Sequence, residues 1–131
     1  FPKEEEEAVV ETPPAEIVYK LVSVERVSEL PGELFPAQAA NEFLVITVKG
    51  TNYDVKTRLF NVFYFSFEDS EGKVYQNAIN TKPDSLRYGT LDPDQNNPIV
   101  GSIVFEVPKD STGKLHVTDE KNNPIQTLKI K

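Results

Sequence analysis

Apolar residues recur at every second position through most of this chain, and no stretch sustains a 3.6-residue apolar period. Period two sends alternate side chains to opposite faces of an extended strand, so a chain patterned this way folds by stacking sheets. "EFLVITVKGTN" (Glu42–Asn52) is the clearest case, with Leu44, Ile46 and Val48 on one face. "IVYKLVSVERV" (Ile17–Val27) places Val18, Val22 and Val24 on one face and Ile17, Tyr19 and Leu21 on the other. "LFNVFYFSFEDSEGKVYQNAI" reads as a strand, a turn at Asp69-Ser70-Glu71-Gly72 and a returning strand. Within it Phe63, Phe65 and Phe67 are predicted to face inward, and Phe60, Val62 and Tyr64 outward. "GSIVFEVP" aligns Ile103, Phe105 and Val107, and "GKLHVTDEKNNPIQTLKIK" closes the chain as a hairpin with His116 facing outward.

About seven short strands, separated by Gly, Pro, Asn and Asp, predict an all-β fold, an antiparallel β-sandwich of immunoglobulin type. A barrel of similar length is the alternative. The 131 residues suit one domain with a real core. Residues 1–14, "FPKEEEEAVVETPP", read instead as a disordered acidic linker, because four glutamates in a row repel and Pro13-Pro14 favours extension. At about 3 Å per residue such a tether spans roughly 40 Å. The sandwich then occupies 15–131. The chain starts at Phe1 and holds no Met, as expected of a processed product or of a trimmed chain, and the loss of a signal or anchor segment is compatible with either.

Charge narrows the partners. The net charge of -7 is concentrated in residues 1–16, which carry six acids against Lys3, so the rest has a net of only -2. Nothing in this distribution attracts phosphate backbones, and nucleic acid is not an expected partner. The absence of Cys removes disulfides, thiolate metal sites and cysteine nucleophiles. His116 is the sole histidine, and neither a Gly-x-Ser-x-Gly elbow nor a glycine-rich phosphate loop occurs. The chain is therefore read as a non-enzyme.

Asp92, Asp94 and Asn96 stand at alternate positions, as at the start of a calcium loop. Counted from Asp92, the sixth position is Asn97 rather than Gly, and the twelfth is Ile103 rather than Glu. The Asp-Pro and Asn-Pro pairs favour a turn, and a turn is the reading taken. Calcium held by convergent loop acids (Asp69, Glu71, Asp92, Asp94, Asp110 and Asp119) is the one cofactor left open; solvated turn acids are preferred, so no cofactor is expected.

Binding is the better class. Phe60 and Tyr64 would sit open on a two-layer sandwich unless the loop Glu29–Asn41 packs over them, with Phe35 as the covering residue. If open, they become candidates for stacking on sugars or a protein. "NTKPDSLRYGTLD" (Asn80–Asp92) is the longest polar loop, and Arg87-Tyr88 within it is a pair of the kind enriched at contact hot spots. The candidate binding residues are therefore Arg87, Tyr88, Phe60 and Tyr64. Lys129 and Lys131 on a closing edge strand favour a monomer.

Three segments in order, "NEFLVITVKGTN", "FSFEDSEGKVYQ" and "LDPDQNNPIVGSIVFEVPKD", resemble an uncharacterised immunoglobulin-like domain family of bacterial and archaeal surface proteins and lipoproteins. Its marks here are a strand ending in Val-Lys-x-x-Asn, an Asp-x-x-Gly-Lys turn followed by Tyr, and a Leu-x-Pro turn leading to a strand that ends in Val-Pro. A similar sandwich is that of the mycobacterial immunoprotective extracellular protein. The resemblance implies a secreted or lipid-anchored domain outside the cell, touching membrane only through an upstream anchor, and it implies no reaction. The expected role is a binding or spacer domain for a protein or glycan at the cell surface, with a calcium-assisted carbohydrate-binding module as the alternative.

Overall fold

β2 (Asn41–Asn52) is the spine of the fold, because both its faces are apolar and both its edges are paired. It lies between β1 (Ile17–Val27) and β7 (Ile99–Pro108), antiparallel to each. The computed structural model describes residues 17–30, 36–78, 84–94 and 96–131, so the linker 1–14 and Phe35 lie outside the described residues. The second sheet follows the order β5-β4-β8-β9, from β4 (Phe65–Asp69), β5 (Val74–Tyr75), β8 (Gly113–Thr118) and β9 (Pro124–Ile130). A two-stranded ribbon joins β3 (Arg58–Asn61) to β6 (Tyr88–Leu91). The described residues thus hold nine strands rather than about seven, because the predicted aromatic strand divides into β3 and β4 and β6 forms within a segment predicted as loop. Connections pass repeatedly between the sheets, as in immunoglobulin-type sandwiches.

The core forms where the sheets face each other. Tyr19, Leu44, Ile46, Ile103 and Phe105 from one sheet meet Phe65, Phe67, Leu115, Val117 and Ile130 from the other. Tyr19 stands edge-on to Phe65 with ring centroids 4.9 Å apart, and Phe67 leans on Phe105 at 5.9 Å. Each fully buried aromatic contributes about 1.5–3 kcal/mol of transfer free energy. Burial holds the Tyr19 hydroxyl well above its ordinary pKa.

Simple alternation fails at two places. In β1 the register slips between Leu21 and Ser23, a bulge with Val22 as the extra residue. Ile17 and Tyr19 face the core before it, and Val24 packs against the same core after it. Val22, predicted to share a face with Val24, is exposed instead. In the aromatic run, Val62–Tyr64 forms a 3-10 turn between β3 and β4. Asn61 starts it by accepting the Phe63 N–H at 2.9 Å. Phe65 and Phe67 are buried as predicted, but Phe63 is turned out to solvent. Phe60 and Tyr64, predicted to point outward, are half-buried against the core.

The loop after β1 was expected over Phe60 and Tyr64. Its described residues instead cover the outer face of β2: Leu30 and Ala37 pack with Phe43, Val45 and Val104. A connection between two neighbouring strands of one sheet reaches that sheet's own face most directly. Of the predicted polar loop Asn80–Asp92, residues 80–83 lie outside the described residues; in the rest Leu86 and Leu91 are buried and β6 ends at Leu91.

Two hairpins share one turn chemistry. In each, an Asp carboxylate oxygen accepts the N–H groups two and four residues on: Asp69 from Glu71 and Lys73, and Asp119 from Lys121 and Asn123. The fourth residue takes positive φ, Gly72 at 89° and Asn122 at 65°, as a three-residue hairpin with a bulge requires. The backbone N–H donors of Lys73 and Asn123, respectively, are the main reason both carboxyls sit below the usual pKa range.

Candidate functional site

The site is built outward from two anchors. Leu86 donates its N–H to the Ser102 carbonyl at 2.8 Å and rests on Gly101, where a Cβ would come within 2.9 Å of the Leu86 Cδ1. Leu91 is buried at the far end of β6. Between them Arg87 and Tyr88 are exposed, and the Arg87 carbonyl accepts the Val62 N–H at 2.7 Å. That bond fixes the 3-10 turn beside β6, with Tyr88 directly across from Asn61 in the register.

The result is a groove of about 220 Å³ that brings Phe63, Arg87 and Tyr88 together. Phe63 is 69% exposed and Tyr88 78%. Val62 and Leu86 supply apolar lining, and Asn61 and Asn77 supply amides. No Asp, Glu, His or Lys is among its described lining residues. Of the four residues singled out from the sequence, the groove gathers Arg87 and Tyr88. It excludes Tyr64, and it excludes Phe60, whose ring lies over Gly89 close enough that a Cβ there would stand 3.0 Å from its Cζ. Phe63 was missed because alternation from Phe65 and Phe67 assigns it inward. The Asn61 that precedes it, a residue that caps short turns, was the available signal.

Among the described residues, the two other arginines and His116 are occupied. Arg58 is buried, with Nη2 at 2.8 Å from Glu120 Oε1 and Nη1 at 3.2 Å from Asp54 Oδ2. Its guanidinium holds the Glu120 carboxyl below its ordinary pKa. Arg26 meets Glu42 at 2.9 Å and the Ser111 carbonyl at 2.7 Å. Burial pushes the Glu42 carboxyl up, but the Asp110 N–H and Arg26 outweigh it and the net shift is downward. His116 lies on the outer face of its sheet, between Glu68 at 2.7 Å and Thr127 at 3.1 Å. Larger open depressions of about 910, 640 and 420 Å³ are lined mainly by turn and ion-pair residues.

Of the acids weighed for calcium, Asp69, Glu71 and Asp110 line one open depression. Among the described residues no three His, Asp or Glu side chains form a group able to hold a metal. Asp94 accepts the Asn96 N–H at 2.9 Å, and the Asn97 N–H reaches the Asp94 carbonyl at 3.1 Å, so this stretch is a turn closed on itself.

Known structures of the same architecture exist. A candidate lipoprotein of Bacillus subtilis (ycdA) superposes with a TM-score of 0.72 at 17% identity, over 87% of this chain and 36% of its own length. The chain thus spans about a third of that protein. The yjhA protein of Bacillus subtilis gives 0.65 at 17% identity, over 88% of this chain and 92% of its own. The secreted protein MPT63 of Mycobacterium tuberculosis gives 0.60 at 16% identity, over 86% and 82%. At these identities the likeness is one of fold, a β-sandwich. No protein with a curated description matches the sequence. The profile of one sequence family matches residues 14–124, and the chain belongs to that family, described as a domain of unknown function (DUF4352).

Proposed function

We propose that this domain is a non-catalytic recognition module of the cell exterior, carried on the acidic linker 1–14, and that it meets its partner through Phe63, Arg87 and Tyr88. The observation that carries the reading is the groove itself: two exposed aromatic rings beside an arginine, all held by paired backbone rather than by a free loop. Aromatic residues and Arg are the types that dominate contact energy, and rigid mounting lowers the ordering cost of binding. The described lining contains no carboxylate, imidazole or amine to move a proton near neutral pH, which suits binding rather than catalysis. The exterior location draws on structural neighbours that are a candidate lipoprotein and a secreted protein.

The partner is a protein or glycan of the envelope. Where a glycan is bound, Phe63 and Tyr88 take the stacking role expected of Phe60 and Tyr64, whose rings are half-buried. Two measurements test the proposal. Protease shaving of intact source cells should release peptides of this domain, and their appearance only after lysis would sink the exterior location. Binding of the purified domain to isolated source-cell envelopes should fall about tenfold or more in a Phe63→Ala/Tyr88→Ala variant with unchanged melting. Undiminished binding would remove the groove from the reading.

A further inference from the structure

The chain has three arginines, and the described structure treats them differently. Arg26 and Arg58 each reach carboxylates through the guanidinium, Glu42 for the first, Glu120 and Asp54 for the second. Arg87 has no ion pair or side-chain hydrogen bond with any described residue. It also stands in a groove with no acid among its described lining residues, in a protein whose acids outnumber its bases by 21 to 14. A guanidinium is a planar fork of donors that matches a carboxylate in two parallel hydrogen bonds. Here the fork is offered to solvent beside two aromatic rings.

The remaining lining restricts what can carry that carboxylate. A volume of about 220 Å³ is below the roughly 300–1,000 Å³ typical of drug-sized ligands, and it fits one ring better than an extended chain. Asn61 gives its side-chain oxygen to the Phe63 N–H, which leaves its amide N–H₂ available to donate to a hydroxyl. Asn77 adds a second amide, while Phe63 and Tyr88 present apolar surface to the faces of a ring. Apolar ring faces, amide donors and one guanidinium together describe a pyranose that bears a carboxylate.

We propose that the Phe63–Arg87–Tyr88 groove binds a carboxylated sugar, with Arg87 taking the carboxylate and the aromatic rings taking the sugar ring. This rests on the recognition reading above and names its ligand class. The test is a titration of the ¹⁵N-labelled protein with glucuronate, with glucose and with the acidic peptide N-acetyl-aspartyl-alanine amide, read from backbone amide shifts. Glucuronate should move the Phe63, Arg87 and Tyr88 amides saturably, and glucose should bind about tenfold more weakly. Arg87→Gln should bring glucuronate down to the level of glucose, and Arg87→Lys, which keeps the charge without the fork, should fall between. Arg87 is exposed, so both variants should fold.

Equal affinity for glucose and glucuronate would overturn the carboxylate, and a peptide as tight as glucuronate would overturn the sugar. If all three probes leave the groove silent while envelope binding still depends on Phe63 and Tyr88, the ligand class falls and the recognition reading stands. If envelope binding ignores all three side chains, the recognition reading falls with it.

Discussion

Replacing Gly50 with Ala puts a methyl group where the ring of Tyr19 already lies. A Cβ there would stand 2.6 Å from the Tyr19 Cε1 and 2.9 Å from its Cδ1, well inside contact distance. The two residues face each other across β1 and β2, so the conflict is built into the register. The ring has nowhere to retreat, being 2% exposed and held edge-on against Phe65. Forcing an extra methyl into such a core costs about 1–3 kcal/mol. Against this, Ala in place of Gly narrows the unfolded ensemble and returns about 0.4–1 kcal/mol. The net expectation is a loss of about 1–2 kcal/mol, a fall of roughly 4–8 °C in Tm for a domain this size. Urea unfolding followed by circular dichroism should show the midpoint lowered by roughly 0.5–1 M with the slope unchanged. In a Tyr19→Leu background the same substitution should cost less than half as much. Wild-type stability for Gly50→Ala, or an equal loss in both backgrounds, would refute the argument.

Asn52→Ala should cost about 1–3 kcal/mol in the same urea assay. Its side chain is 1% exposed, donates to the Lys56 and Leu91 carbonyls and accepts the Asp54 N–H, so truncation strands buried backbone groups. Stability should fall on acidification. Asp69 and Asp119 have folded pKa values below their unfolded ones, so their contribution is complete above the unfolded value of about 3.9 and is lost as pH falls through the folded values. Urea midpoints between pH 2 and 6 should show this acid limb, and Asp69→Ala/Asp119→Ala should flatten it; an unchanged limb would place its origin elsewhere. Arg87→Ala/Tyr88→Ala should leave stability within about 0.5 kcal/mol by thermal melting, and a larger loss would mean these side chains pack rather than display.

Much of the fold was legible because it is written in local chemistry. The alternation of Leu44, Ile46 and Val48 needs only the two-residue period of a strand, and all three face the core. The turn at Asp69 follows from an Asp and a Gly at the right offset. The Val-Lys-x-x-Asn element acquires its physical reasons from the structure, with Gly50 seating Tyr19 and Asn52 clamping the loop beyond β2. Arg87 and Tyr88 were visible as an exposed pair of contact-prone types.

What the sequence determined by itself is most of the strands, most of their faces and the chemistry of the hairpin turns, since these depend on neighbours a few positions away. Only the tertiary structure decided where alternation breaks. The bulge at Val22 lets an edge strand twist while Tyr19 and Val24 both reach the core, and the turn at Val62–Tyr64 follows the partner backbone at Arg87. It also decided which surface the described part of the loop after β1 covers, and that two arginines close on carboxylates while Arg87 stands beside Phe63 with no carboxylate partner among the described residues. Such pairings join positions tens of residues apart, and no local period or propensity carries information about them.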